Sequence, residues 1–379
     1  MPFDHAQRRA RLDEAMTAAG IDLMFVPTGS DLEYLAGLER DIPTYGATAY
    51  THGWVTGAFL RPGQDPVFTL PRLVALVHVK IDLPGEVVVF GEADDADDAF
   101  GRLAERLSPA GTIAVSYPAS AETLLRLQAF FPDARFVDGA PVVARLRAHK
   151  SPDELEAMAK ATEIAAGALA QTTQMIAAGV TMREIATELE RRMLFLGSRL
   201  PSFTTHVATY GLGDRRDNLD GKTADLPLRH GESVKFDYGA VVDGYCSDFG
   251  RTVFCGEPPE QFVRTYQEVL LPAHEAAIAA SAAGVRAGDV DRICRDVIEG
   301  AGLGEAFVHR TGHCLGLDLH ERPYISEEDD LLLEEGMVFT IEPSINVPGR
   351  MGMRIEDMIV CGVDGGRPLV ELSSALGCV

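Results

Sequence analysis

Ala177-Ala178-Gly179-Val180, followed by Arg183-Glu184-Ile185, returns as Ala282-Ala283-Gly284-Val285, followed by Gly288-Asp289-Val290, each residue number rising by 105. The same step carries Asp237 onto Glu342. Each copy reads as a helix, a turn, a second helix and then an apolar strand interrupted by a carboxylate. A unit written twice in this way implies two related halves that face one shared site. A carboxylate inside an apolar strand is costly unless something compensates it. A salt bridge or a solvated strand face is the ordinary compensation, but four such carboxylates beside a histidine point to ligands.

At 379 residues, 46% of them hydrophobic, the chain has ample material for two or three domains with buried cores. No long apolar run occurs, and the segment Met1 to Gly20 is charged (Arg8, Arg9, Arg11, Asp13, Glu14) and helix-like. It lacks the apolar centre of a signal peptide, so the expectation is a cytoplasmic protein without a membrane span. A formal charge of −23 repels nucleic acid and anionic membranes, which leaves small molecules or short peptides as partners. Basic residues are mostly Arg, with Lys only at 80, 150, 160, 222 and 235. The six cysteines (246, 255, 294, 314, 361, 378) form no Cys-x-x-Cys pair and read as reduced thiols. Cys314 stands apart because it follows His313 directly.

From Ile21 to about Arg145, short β-like runs (Asp22 to Val26, Trp54 to Leu60, Val87 to Phe90, Ile113 to Tyr117) alternate with amphipathic segments, the pattern of an α/β domain. The acidic stretch Gly91 to Asp98 lacks the glycine turn and closing glutamate of a calcium loop and reads as a solvated helix start. At Lys150-Ser151-Pro152-Asp153-Glu154, a capping serine, a proline at the first helical position and a glutamate three residues past the cap predict a helix start. The chain thus divides into an N-terminal domain, 1–145, and a C-terminal domain, 146–379, that carries both repeats.

In the second domain, Asp243-Gly244 between two apolar runs predicts a two-residue hairpin turn. That turn sets Asp248 opposite Gly239 and makes it the diagonal neighbour of Asp237, so both carboxylates point into one space. Two close carboxylates repel and need a shared proton or a cation between them. Glu342 and Glu356 add two more within apolar strands, and the motifs themselves offer no sufficient set of positive side chains. Between them, His309, His313 and His320 fall within twelve residues that also hold Gly312 and Gly316, a density typical of ligands and proton carriers.

These motifs resemble the pita-bread metallopeptidase family that includes methionine aminopeptidase, aminopeptidase P and prolidase. Asp237 precedes Gly239-Ala240, Asp248 precedes Arg251-Thr252, His313 precedes Leu315-Gly316, Glu342 precedes Pro343 and Glu356 precedes Asp357. The two-domain length fits the aminopeptidase P, prolidase and creatinase-like branch. The resemblance implies an α/β (α+β) protein in which a creatinase-like N-terminal domain precedes a pita-bread catalytic domain with a pseudo-two-fold repeat. It implies two divalent metals, with Asp237 on one, His313 and Glu342 on the other, and Asp248 and Glu356 bridging both. Oxygen-rich ligation with one imidazole favours manganese, with cobalt, zinc or iron behind it. By the same resemblance, Glu342 carries the proton from water to the leaving nitrogen. His309 and His320 then contact substrate and stabilise the tetrahedral intermediate, Arg354 orients the bridging carboxylates, and Tyr245 is either a site residue or a packing one.

One departure stands out. Family members that cleave peptides carry a Pro-His pair about seventeen residues before the first aspartate ligand, and here Ala208 to Asp220 contains no histidine. Arg215 and Arg216 are the alternative anchors for a substrate carboxylate, or else part of a solvated loop. The leading expectation is an Xaa-Pro aminopeptidase or dipeptidase. The alternative is a metal-dependent enzyme of the same fold acting on a small non-peptide compound, such as an ectoine-type amidohydrolase or a dimethylsulfoniopropionate-type lyase. A binding module without activity comes last, because all five ligand positions are intact. The aromatic, glycine-containing segment Arg40 to Trp54 adds the expectation of a homodimer.

Overall fold

The computed structural model describes residues 3–40, 52–211 and 225–379. The chain separates into two compact units, Met1–Arg147 and Ala148–Val379. Most of the segment behind the homodimer expectation, residues 41–51, lies outside the described residues, as do Arg215, Arg216 and Asp220.

The first unit combines α1 (His5–Ala19), β1 (Leu23–Pro27), α2 (Ser30–Ala36), β2 (Gly57–Leu60), β3 (Val67–Pro71), β4 (Glu86–Phe90), α3 (Ala96–Leu107), β5 (Thr112–Val115), α4 (Ala121–Phe130), β6 (Arg135–Asp138) and α5 (Ala140–Ala148). Its sheet runs β4-β3-β2-β1-β5-β6, with β1, β5 and β6 parallel and β1, β2 and β3 antiparallel. β1 is apolar along its whole length because every residue of it is buried. The expected strand from Trp54 is shorter than the apolar run implies. Trp54 and Val55 lie in a 3-10 turn, and Trp54 packs edge-on against Phe100 in the core. Pairing begins at Gly57, where an added Cβ would lie 2.3 Å from the carbonyl oxygen of Val26. Asp95 caps α3 through the N–H groups of Asp97 and Asp98, so the acidic stretch is a helix start, as expected.

The second unit begins with α6 (Pro152–Thr172), whose capping box joins Ser151 and Glu154. Its further helices are α7 (Met182–Phe195), α8 (Glu260–Thr265), α9 (Leu271–Ala280) and α10 (Ala287–Gly300). Strands β7 (His206–Tyr210), β8 (Ser233–Asp237), β11 (Thr252–Phe254) and β19 (Gly377–Cys378) form one sheet, ordered β19-β11-β8-β7. A second sheet, β13-β12-β14-β17-β18, holds β12 (Gly312–Cys314), β13 (Glu321–Ile325), β14 (Val338–Ile341), β17 (Asp357–Cys361) and β18 (Gly366–Pro368). Two hairpins complete the unit, β9 (Val241–Val242) with β10 (Tyr245–Cys246), and β15 (Ser344–Val347) with β16 (Met351–Arg354).

The repeat holds in three dimensions. α7 and α10 have the same length and begin 105 residues apart. Gly179 donates to Leu228 O at 2.8 Å, and Gly284 donates to Leu333 O at the same distance. Both glycines take positive φ, 98° and 88°, where a side chain is disfavoured. After the intervening hairpins the step becomes 106. Gly231 N–H reaches Cys255 O as Gly336 N–H reaches Cys361 O. Each half has its own core, one around Ile185, Leu189 and Phe236, the other around Val290, Cys294 and Phe339. The expected α/β first domain and internally repeated second domain are both found.

Candidate metal centre

The Asp243-Gly244 turn forms as predicted, with φ of 48° and 83° between β9 and β10. The bridge between Tyr238 and Phe249 continues that register, which leaves Asp248 opposite Gly239. Gly239 is required there, since an added Cβ would meet Ser247 O at 1.8 Å. Asp237 ends β8, and Glu356 approaches from just beyond β16. One oxygen from each of Asp237, Asp248 and Glu356 lies within 4.8 Å of the others.

Glu342 follows β14, and its N–H donates to Thr311 O at 2.8 Å. His313 lies on β12 and donates Nδ1–H to Cys314 O at 3.1 Å, which leaves Nε2 as a lone pair. That lone pair faces Asp248 Oδ2 at 3.3 Å and Glu342 Oε1 at 3.5 Å. Three electron-rich atoms so close are repulsive unless a proton or a cation sits among them. Burial alone would lower the His313 pKa, yet the contact with Asp248 and the charge of Glu342 raise it. Asp248 Oδ1 and Glu356 Oε1 are buried and have no hydrogen-bond partner among the described residues. Buried carboxylate oxygens of this kind call for a counter-ion. The donor set, four carboxylates and one imidazole, fits hard or borderline divalent cations.

Arg354, which the resemblance sets to orient the bridging carboxylates, lies among them. Its Nη1 bonds Asp237 and lies 3.2 Å from both Glu342 Oε2 and Glu356 Oε2, while Nε donates to Ser344 Oγ at 2.8 Å. The missed residue Lys235 lies on the same strand face as Asp237. One guanidinium does not balance four carboxylates, and the protonation shifts record the excess. Burial, offset only in part by Arg354 and His313, lifts the Glu342 carboxyl to about 7. Burial together with Asp248 and Glu342 holds Glu356 well above the ordinary carboxylate range.

A cavity of about 830 Å³ opens onto this cluster and is lined by Asp237, Asp248, His309, His313, His320, Glu342 and Arg354, so the structure brings these seven predicted residues together. Glu356 lies beneath it, fully buried. His309 Nδ1 donates to Arg310 O at 2.7 Å, so Nε2 is an acceptor, 3.4 Å from Arg354 Nη2. Burial and then Arg354 lower the His309 pKa to about 3, and burial and then His313 lower that of His320 to about 4, so both rings are neutral near pH 7. With Nε2 as acceptor, a neutral His309 suits a substrate N–H. His320 packs edge-on against His313 at 4.2 Å between ring centroids and is exposed to the cavity.

Tyr245 is a packing residue, 1% exposed, with its hydroxyl donating to Glu154 Oε1 at 2.7 Å. Burial pushes the Cys314 thiol up to about 12, which makes it an inert core group. His206 was not foreseen. It pairs with Asp237 across β7 and β8 and lines the cavity. Its signal was an alternating run, His206 to Tyr210, whose register to Asp237 crosses a long connection.

Among the described residues no helix is long and apolar enough to cross a membrane. Residues 156–362 match the model of metallopeptidase family M24, and residues 8–149 that of the creatinase/prolidase N-terminal domain. The chain is 35% identical to an Xaa-Pro dipeptidase of Lactobacillus delbrueckii subsp. lactis over 97% of each chain. It is 30% identical to an Xaa-Pro dipeptidase of Pyrococcus furiosus over 98% of this chain and 99% of the other. The crystal structure of a recombinant prolidase from Thermococcus sibiricus superposes over 100% of both chains with a TM-score of 0.87 at 29% identity. With its carboxylate-bearing strands, its duplicated core and these matches taken together, the chain belongs to metallopeptidase family M24 and carries the creatinase/prolidase N-terminal domain ahead of its metal-dependent peptidase domain.

Proposed function

We propose that the chain is an Xaa-Pro peptidase of dipeptidase type, cleaving the bond before proline in short peptides, with two divalent cations held by Asp237, Asp248, His313, Glu342 and Glu356. The observation that carries this reading is the pair of buried oxygens, Asp248 Oδ1 and Glu356 Oε1, that have no partner among the described residues where three carboxylates converge. The full-length likeness to proteins named Xaa-Pro dipeptidase supports the substrate class. Manganese is the first choice of ion on the chemistry of the donors. Such ions, when bound, polarise a carbonyl and lower the pKa of water.

The chain's own groups supply the remaining chemistry. Glu342, steadied by the Thr340 hydroxyl at 3.3 Å, stands where it can take a proton from water and return it to the departing proline nitrogen. Arg354 fixes Asp237, Glu342 and Glu356 in one orientation, so little reorganisation accompanies charge development. His309 Nε2 accepts from a substrate N–H, and neutral His320 donates to the developing oxyanion. Arg215 and Arg216 anchor an anionic group of the substrate in place of the absent histidine.

The test is hydrolysis of Xaa-Pro dipeptides, longer Xaa-Pro peptides, Xaa-Ala dipeptides and a cyclic amide by protein loaded with Mn²⁺, with metal content measured in parallel. Xaa-Pro dipeptides are expected to turn over fastest. Preference for the cyclic amide would move the reading to small non-peptide substrates. Asp248→Ala and Glu356→Ala are expected to lose both ions and Asp243→Asn to keep them; full metal content in Asp248→Ala would overturn the ligand set.

A further inference from the structure

Lys235 precedes Asp237 by two residues on β8, so the pleat places both side chains on one face, while Val234 and Phe236 enter the core behind them. Its Nζ donates to Asn346 Oδ1 at 3.0 Å and lies 5.3 Å from the centroid of the Tyr210 ring. Lys235 pairs with Ala208 across β7 and β8. The repeat relates this pair to Thr340 and His313 of the second half, where the His313 N–H donates to Thr340 Oγ1 at 3.1 Å. The second half therefore sets an imidazole against a threonine, and the first half sets a lysine against an alanine. One half offers an added cation a lone pair. The other holds the Lys235 amine, whose pKa burial and then Arg354 lower to about 7.

The acidic groups that face this region are Asp237, Glu342 and Glu356, and the basic groups are Arg354 and Lys235. Asn346 is a neutral acceptor and the Tyr210 ring a weak one, so neither cancels the ammonium charge. The field of Lys235 therefore falls on the carboxylates beside it.

On the metal-centre reading above, we propose that Lys235 is a positioning residue that sets how tightly the Asp237 side of the centre holds a divalent cation. Its ammonium compensates part of the acidic charge before any ion arrives. It steadies the ion-free cluster and weakens the hold on an added cation, so the two effects have opposite signs. A residue that served packing alone would move both the same way.

The experiment titrates the ion-free full-length protein with MnCl₂ by calorimetry, counts bound Mn²⁺ after gel filtration, and follows thermal unfolding without metal. Lys235→Met is expected to bind Mn²⁺ about three- to thirtyfold more tightly in at least one step, the range for one charge acting through a partly solvated interior. Without metal it is expected to melt at a lower temperature than the parent. Lys235→Arg keeps the charge and is expected to bind no tighter than the parent. Asn346→Asp cancels the ammonium charge in place, and it is expected to tighten binding even where Lys235→Met does not fold. Mn²⁺ affinity equal to or below that of the parent in the folded neutralising variants overturns the proposal. A parent that takes up no Mn²⁺ overturns the reading of the centre itself, and this inference with it.

Discussion

Glu356 and Gly250 are each other's backbone partners, the Glu356 N–H donating to Gly250 O at 3.0 Å and the Gly250 N–H returning to Glu356 O at 3.4 Å. They are also equivalent positions of the two repeats, related by the step of 106 that relates Cys361 to Cys255. The local symmetry axis therefore passes between them, and only one of the two can carry a carboxylate. Glu356 fills the space that a second side chain would need.

Replacing Gly250 tests that exclusion. A Cβ there would lie 2.5 Å from Glu356 Oε2 and 2.9 Å from Phe236 O, and Gly250 has no positive φ to confuse the result. Gly250→Ala is expected to cost about 1–3 kcal/mol, the usual range for overpacking, and to lower bound metal. Chemical denaturation and elemental analysis read both effects.

Removing Arg354 leaves buried carboxylates without their guanidinium. Arg354→Met is expected to lose about 3–5 kcal/mol in the ion-free state, the cost of breaking a buried ion network. Added Mn²⁺ is expected to raise its melting temperature by more than it raises that of the parent. An equal rise in both proteins would show that Arg354 does not share the carboxylates with the ions.

His274 gives the second domain an acid sensitivity of its own. It is 2% exposed, Nε2 lies 3.4 Å from Asp357 Oδ2 and has no hydrogen-bond partner among the described residues, and burial, then Arg251, lowers its pKa to about 3. The unfolded chain protonates this ring near pH 6.5 and the folded chain does not, so stability falls as pH drops from about 6.5 toward 3. The single group accounts for about 1.5 kcal/mol between pH 6.5 and 5. His274→Gln is expected to flatten that slope in urea titrations at the two pH values.

Arg215 and Arg216 are tested on the free-acid and amidated forms of one substrate. If either anchors the carboxylate, its replacement by Ala is expected to cost about ten- to a hundredfold in kcat/KM on the free acid alone, with metal content unchanged. Equal losses on both forms would place the anchor elsewhere.

The features legible in the sequence were those decided within a few residues. The capping box at Ser151 and Glu154, the Asp243-Gly244 turn and the helix start after Asp95 each depend on groups less than one turn apart. Strand alternation carried the reading one step further, to Asp237 beside Asp248. His206 was hidden because its place opposite Asp237 depends on a register set across a long connection. Arg354 came from the resemblance as the group that orients the bridging carboxylates, while its bond to Asp237 joins the two halves and shows in no local pattern. β6 escaped notice because it is short and lies between two helices, α4 and α5.

Asp237 and Asp248 are encoded before residue 255, and His313, Glu342 and Glu356 after residue 311, each set backed by an apolar cluster of its own. A chain severed in the connection Gly256 to Pro259 would yield two pieces, each with a core to collapse on and neither with a complete set of donors. Turnover would then become a property of complementation. Each fragment alone would be silent, and activity would return on mixing at a rate that rises with the concentration of both.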